Sequence, residues 1–139
     1  MLRSVLRSAG AVALSLLVAF ILVVALEWVS SILHPFPEGE FDMLEHVAAY
    51  PQWVLAFVVV WWGATTFLAA WMATRLGEGR HPAHGWCVGL LLLAAVAMNQ
   101  SMLPYPLWFE VANYVVFVAA TVCGARLGAG ERRMSSVEA

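Results

Sequence analysis

The chain has 139 residues, 63% hydrophobic and 12% charged, with a mean hydropathy of +0.82 and a formal net charge of −2. A soluble globule of this size exposes too much of its area to hide so many apolar side chains. The few basic residues form no nucleic-acid patch, and no nucleophile–base pair or phosphate-binding loop is present, so neither nucleic-acid binding nor catalysis is expected.

The apolar residues fall into four blocks, 9–33, 53–74, 86–103 and 107–125. Each is near the ~20 residues that carry a helix across ~30 Å of hydrocarbon. Lipid forces the backbone to satisfy its own hydrogen bonds, so such runs predict helices. The expectation is an all-α polytopic membrane protein with spans at about 9–33, 52–75, 85–103 and 106–127. An outer loop at 34–51, a cytoplasmic turn at 76–84 and a cytoplasmic tail at 128–139 connect and follow them.

All seven basic residues are arginines: Arg3, Arg7, Arg75, Arg80, Arg126, Arg132 and Arg133. With four spans they fall on one side, which the positive-inside rule assigns to the cytoplasm. The other side holds Glu27, Glu38, Glu40, Asp42, Glu45 and Glu110 and no Arg or Lys. Both termini are therefore expected in the cytoplasm of a bacterial inner membrane. A signal peptide is the rival reading of the first block. Its apolar core at 11–26 exceeds the usual ~7–15 residues, and no clean small-x-small cleavage site follows, so an uncleaved helix is favoured.

After the first span, "EGEFDMLEHVAA" leads to a second feature. Phe41, Leu44, Val47 and Ala48 recur at helical spacing, with Asp42, Glu45, His46 and Ala49 opposite them. Asp42 and Glu45 have capping-box spacing. A short helix at 42–49, lying flat on the outer leaflet, is predicted.

The second and fourth spans open with the same word, "YPQW" at 50–53 and "YPLW" at 105–108. Tyr and Trp favour the headgroup layer, and Pro51 and Pro106 suit a first helical turn. The two spans also close alike, through "RLGEGR" at 75–80 and "RLGAGER" at 126–132. An offset of 51 pairs Arg75 with Arg126, and Ala69, Ala70, Ala73 and Gly77 with Ala120, Thr121, Gly124 and Gly128. The odd spans end in "SILHPFP" and "SMLPYP". Two tandem helical hairpins, related about the membrane normal with a four-residue gap in the fourth span, account for these matches.

Small residues line one face of the second span (Gly63, Thr66, Ala70, Ala73, Gly77) and of the fourth (Ala120, Thr121, Gly124, Gly128). The third opens with Gly85 and Gly89 as GxxxG. Such stripes let membrane helices approach closely, within one chain or between two copies. Cys87 and Cys123 lie toward the cytoplasmic ends without CxxC spacing and read as small packing residues.

Polar residues gather in the outer part of the membrane. Glu27, Ser30, Ser31 and His34 share a face of the first span, Asn99 and Gln100 lie near the end of the third, and Glu110 and Asn113 open the fourth. A carboxylate costs ~2.5–3.5 kcal/mol at the bilayer centre and less toward the surface. Glu27, His34, Asn99, Glu110 and Asn113 are therefore candidates for a ligand, proton or ion site, set against the plainer reading of interhelical hydrogen bonding. His34, Asp42, Glu45 and His46 are zinc-compatible residue types in no recognised ligand spacing, so no metal and no cofactor is expected. His81 and His84 lie in a turn, and no histidine lies within a span to ligate haem.

The layout, with P[FY]P after one span, YPxW opening another and "GARLG" closing the last, resembles small uncharacterised bacterial four-helix integral membrane proteins. The resemblance covers most of 10–128 and implies the fold without any functional residue. Four-helix multidrug transporters also carry a Glu in their first helix, but theirs is mid-membrane and their loops are tight. A non-enzymatic accessory, assembly or sensor subunit is expected, its partners being the bilayer and a membrane protein or second copy. A small carrier or channel with an acidic vestibule is the alternative, and an outer-face metal-dependent enzyme is a third.

Overall fold

The computed structural model describes residues 2–40 and 42–130; Phe41, Arg132, Arg133 and the rest of the tail from 131 lie outside the described residues. Five α-helices follow one another: α1 (Leu2–Leu33), α2 (Met43–Ala48), α3 (Gln52–Leu76), α4 (Ala83–Met102) and α5 (Leu107–Ala129). The described residues contain no strand. α1, α3, α4 and α5 are each long and apolar enough to cross a membrane.

α1 starts at Leu2, ahead of the apolar block, because nothing in the arginine-bearing segment breaks a helix. At ~1.5 Å per residue its 32 residues reach ~48 Å, beyond the hydrocarbon thickness. The extra turns are tied down by Arg7, whose Nε donates to the Leu76 carbonyl at 3.1 Å and whose Nη1 lies 3.5 Å from Glu78 Oε2. Both side chains are well exposed, so the ion pair adds at most ~1 kcal/mol. Beyond α3 the chain turns through a 3-10 segment, Glu78–Arg80, where Gly79 takes φ +62°. A side chain is rarely tolerated there.

The two YPxW words take the same backbone form. Pro51 (φ −58°, ψ 138°) and Pro106 (φ −68°, ψ 143°) are N-caps, one residue ahead of the first-turn position. The Pro51 carbonyl accepts from Val54 and Leu55, and the Pro106 carbonyl from Phe109 and Glu110. The words also meet: Trp108 Nε1 donates to Gln52 Oε1 at 2.6 Å.

α3 is the central helix, packed on α5 above all and also on α1 and α4, while α1 meets α4 lightly. Small residues set these contacts. A Cβ at Gly124 would stand 2.5 Å from the Phe67 carbonyl oxygen, and one at Gly128 would stand 2.7 Å from that of Trp71. At Gly85 it would meet Thr74 Oγ1 at 2.5 Å and the Ala70 carbonyl oxygen at 2.7 Å, while at Gly63 and Gly89 it would overlap Val116 and Thr121. Ala70 and Ala73 are fully buried in the same seams, and Gly77 lies beside the His84 ring. Ala120 is only half-buried at the edge of its stripe. Lipid is as apolar as these side chains, so close contact, rather than escape from water, holds the helices together.

One apolar cluster joins Leu26, Leu55, Trp62, Val96, Phe109 and Phe117 across the four long helices. A second, of Ala19, Ala69, Ala73 and Val88, sits nearer the arginine-bearing end. Phe20, Trp28, Val60, Leu90 and Val115 turn outward and are exposed, as the lipid-facing side of a span requires.

α2 forms with Asp42 as N-cap, its Oδ1 accepting from the Leu44 N–H at 2.8 Å. Its buried side chains are His46 and Val47, and Leu44 is exposed. His46, placed on the polar side by its spacing, is thus buried, while Leu44 of the apolar side is left uncovered by the chain. Periodicity scores the imidazole as polar, but here its flat face packs on other rings.

Candidate functional site

Light packing between α1 and α4 leaves a cleft of about 170 Å³, floored by α3 and α5. Val23 and Glu27 of α1 form one wall, and Leu92, Ala95, Val96 and Asn99 of α4 form the other. Trp62, Thr65, Thr66 and Phe117 make the floor, so the cleft runs from Glu27 to the midpoint of α3. Glu27 itself is exposed at the edge. α1 is held in this position by Trp61, whose Nε1 donates to the Leu22 carbonyl at 3.1 Å.

Several polar atoms around the cleft have no hydrogen-bond partner among the described residues. Asn99 Oδ1 and Trp62 Nε1 are among them, and Trp62 is only 8% exposed. Such atoms are uncommon in folded proteins, because each forfeits solvation without recompense. Glu27 also meets no countercharge: the one ion pair among the described residues is Arg7–Glu78.

The tyrosines of both YPxW words feel the Glu27 carboxylate. Burial raises Tyr50 above the ordinary phenol value, and the charge of Glu27 adds to it. Tyr105 is pushed up to about 12, first by burial, then by Glu27 and by Tyr50. The repeated word thus delivers two neutral phenols to the neighbourhood of one acid.

The five candidates do not form a single site. Glu27 and Asn99 line the cleft. Asn113 is fully buried on α5, its Nδ2 donating to the Phe109 carbonyl of its own helix at 2.9 Å and its Oδ1 unpartnered. Glu110 is half-buried in the first turn of α5 and is not part of the cleft wall. His34 belongs to a separate group of rings. It stacks on His46 with centroids 4.4 Å apart and planes inclined by 24°, and it lies 4.6 Å from Tyr50; Phe36 stacks on His46 at 4.7 Å.

Burial holds His46 below the ordinary imidazole value, and the nearby His34 adds to the effect. Face-to-face rings keep their nitrogens in separate planes, and no three His, Cys, Asp or Glu among the described residues converge as metal ligands. Asp42 is engaged as the α2 cap, and Glu45 is exposed.

Sequence reasoning did not assign the cleft's floor. Thr65 and Thr66 are conspicuous as neighbouring hydroxyls in an otherwise apolar stretch of α3, and both are buried there. Trp62 carried no such signal, since seven tryptophans occur and their faces are set by packing. Gln100, gathered by depth with the outer polar residues but not made a candidate, is buried with both amide atoms unpartnered among the described residues. No family model, no curated protein and no solved structure matches this chain.

Proposed function

We propose that this chain is a non-enzymatic multi-pass protein of the bacterial inner membrane that binds a small ligand in the cleft, as an accessory or sensor subunit. The observation that carries the reading is the cleft itself. A carboxylate without a countercharge among the described residues, an asparagine and two threonines line a space that packing leaves open. A purely structural polar cluster would use these groups on one another.

Both termini and the 76–84 turn are cytoplasmic in this reading, because every described arginine lies at that end. α2 and the cleft mouth then face the outside, with α2 lying along the outer leaflet. Two tandem hairpins, α1 with α3 and α4 with α5, explain the shared proline caps and the α3–α5 seam. The extensive α3–α4 contact has no comparable α1–α5 counterpart, so the relation is approximate. A carrier is the second reading, favoured by Thr65 and Thr66 at the cleft's inner end. It ranks lower because the residues lining the cleft reach no further inward than Thr65 and Thr66.

The test is aqueous access. In a background where Cys87 and Cys123 are replaced by serine, Ala95→Cys in the cleft should react with a small charged methanethiosulfonate added outside intact cells. Ala94→Cys, which lies off the cleft and exposed, should not. Thiolates form in water and not in lipid, so an unreactive Ala95→Cys would end the binding reading.

A further inference from the structure

We propose that the cleft takes a small organic ammonium, its charge held by Glu27 and its apolar part laid against Trp62 and Phe117 on the floor. This rests on the binding reading above and names the ligand's chemistry.

Three properties of the walls select that class. The first is charge. Glu27 is the only ionisable group among the described residues that line the cleft, and the described basic side chains of Arg3, Arg7, Arg75, Arg80 and Arg126 all lie toward the other end of the bundle. A neutral ligand would leave the carboxylate without a partner, and an anion would be repelled. The second is donor and acceptor balance. An ammonium is all donors, and the cleft offers it the Glu27 carboxylate oxygens, with Asn99 on the opposite wall.

The third is shape and surface. Most of the lining is apolar or aromatic: Val23, Leu92, Val96, Trp62 and Phe117. A metal ion such as calcium requires about six to eight oxygen ligands, far more than these residues supply. An organic cation instead gains from aromatic walls, which attract positive charge through the ring quadrupole. An apolar cavity of ~150 Å³ holds a benzene ring. The cleft's 170 Å³ therefore suits one ring or a short alkyl chain beside the charged head.

Two sources can present this chemistry, a free amine and the ethanolamine headgroup of a lipid entering sideways past the exposed Glu27. Benzylammonium is the probe, with benzyl alcohol as its neutral match, titrated by calorimetry into the full chain in dodecyl maltoside, which carries no ammonium. Wild type should bind the amine at least tenfold more tightly than the alcohol. Glu27→Gln should remove that preference while leaving alcohol affinity and melting temperature unchanged, and Glu27→Asp should retain part of it.

If amine and alcohol bind alike and Glu27→Gln alters neither, the cation assignment is wrong while the cleft survives as a binding site. If neither binds wild type, both readings fall together. Phosphatidylethanolamine added to the micelles separates the sources: a weakened apparent amine affinity supports a lipid headgroup in the cleft, and an unchanged one supports a free amine.

Discussion

Alanine in place of glycine has opposite consequences at two positions of this chain, and the contrast tests whether close helix contact holds the bundle. At Gly124 an added Cβ would stand 2.5 Å from the Phe67 carbonyl oxygen, 3.1 Å from Ala70 Cβ and 3.1 Å from the Trp71 nitrogen. Two of these are backbone atoms that no rotamer change can withdraw, so α3 and α5 must move apart along their main seam. Overpacking of this kind costs ~1–3 kcal/mol, and backbone contacts put Gly124 at the upper end. Alanine's better helix propensity returns ~1 kcal/mol, for a net loss of ~2 kcal/mol.

Gly10 lies inside α1 with nothing within 4 Å of the added atom, so Gly10→Ala keeps the propensity gain and stabilises by ~1 kcal/mol. The same substitution should therefore differ by ~3 kcal/mol between the two sites. Reversible unfolding in mixed detergent micelles, followed by helical circular dichroism, measures both. A Gly124→Ala chain as stable as wild type would refute the close-contact account of the α3–α5 seam.

Orientation is tested by labelling in the serine background: Glu40→Cys should react with impermeant maleimide on intact cells and Glu78→Cys should not, and the reverse would invert the topology. Trp108→Phe and Gln52→Ala each remove the bond between the two YPxW words, and each should cost ~1 kcal/mol. Their effects should fall short of additivity in the double variant, and full additivity would show that the bond contributes nothing.

Docking of α2 should weaken in acid. The folded chain holds His46 below its ordinary value of 6.5, so the unfolded segment binds more protons. Stability from this residue is complete above 6.5 and is lost as pH falls through the window beneath it. Hydrogen exchange of the 43–50 amides, corrected for intrinsic rates, should accelerate from pH 7 to 5 in wild type and change less in His46→Gln.

Composition and run length alone determined that four helices are long and apolar enough to span a membrane. A run such as 53–74 admits no other form in lipid, because its backbone must bond to itself. The helices begin and end within two residues of the proline, glycine and arginine punctuation at 52–75, 85–103 and 106–127. α1 is the exception at its start, since Arg3 and Arg7 are good helix formers and end nothing. The small-residue stripes were legible as spacing, but not which neighbour each would meet.

Rotation and neighbour choice were not legible. Apolar side chains cover every face of these helices, so no amphipathic stripe says which side turns inward. Only packing turned Trp62 and Thr65 toward Glu27 and Asn99, closed Asn113 onto its own helix and drew His34 away to His46. Depth along the membrane normal is a property of one helix, readable from its sequence. The meeting of side chains across four helices depends on azimuth, which the glycine and threonine contacts between helices decide.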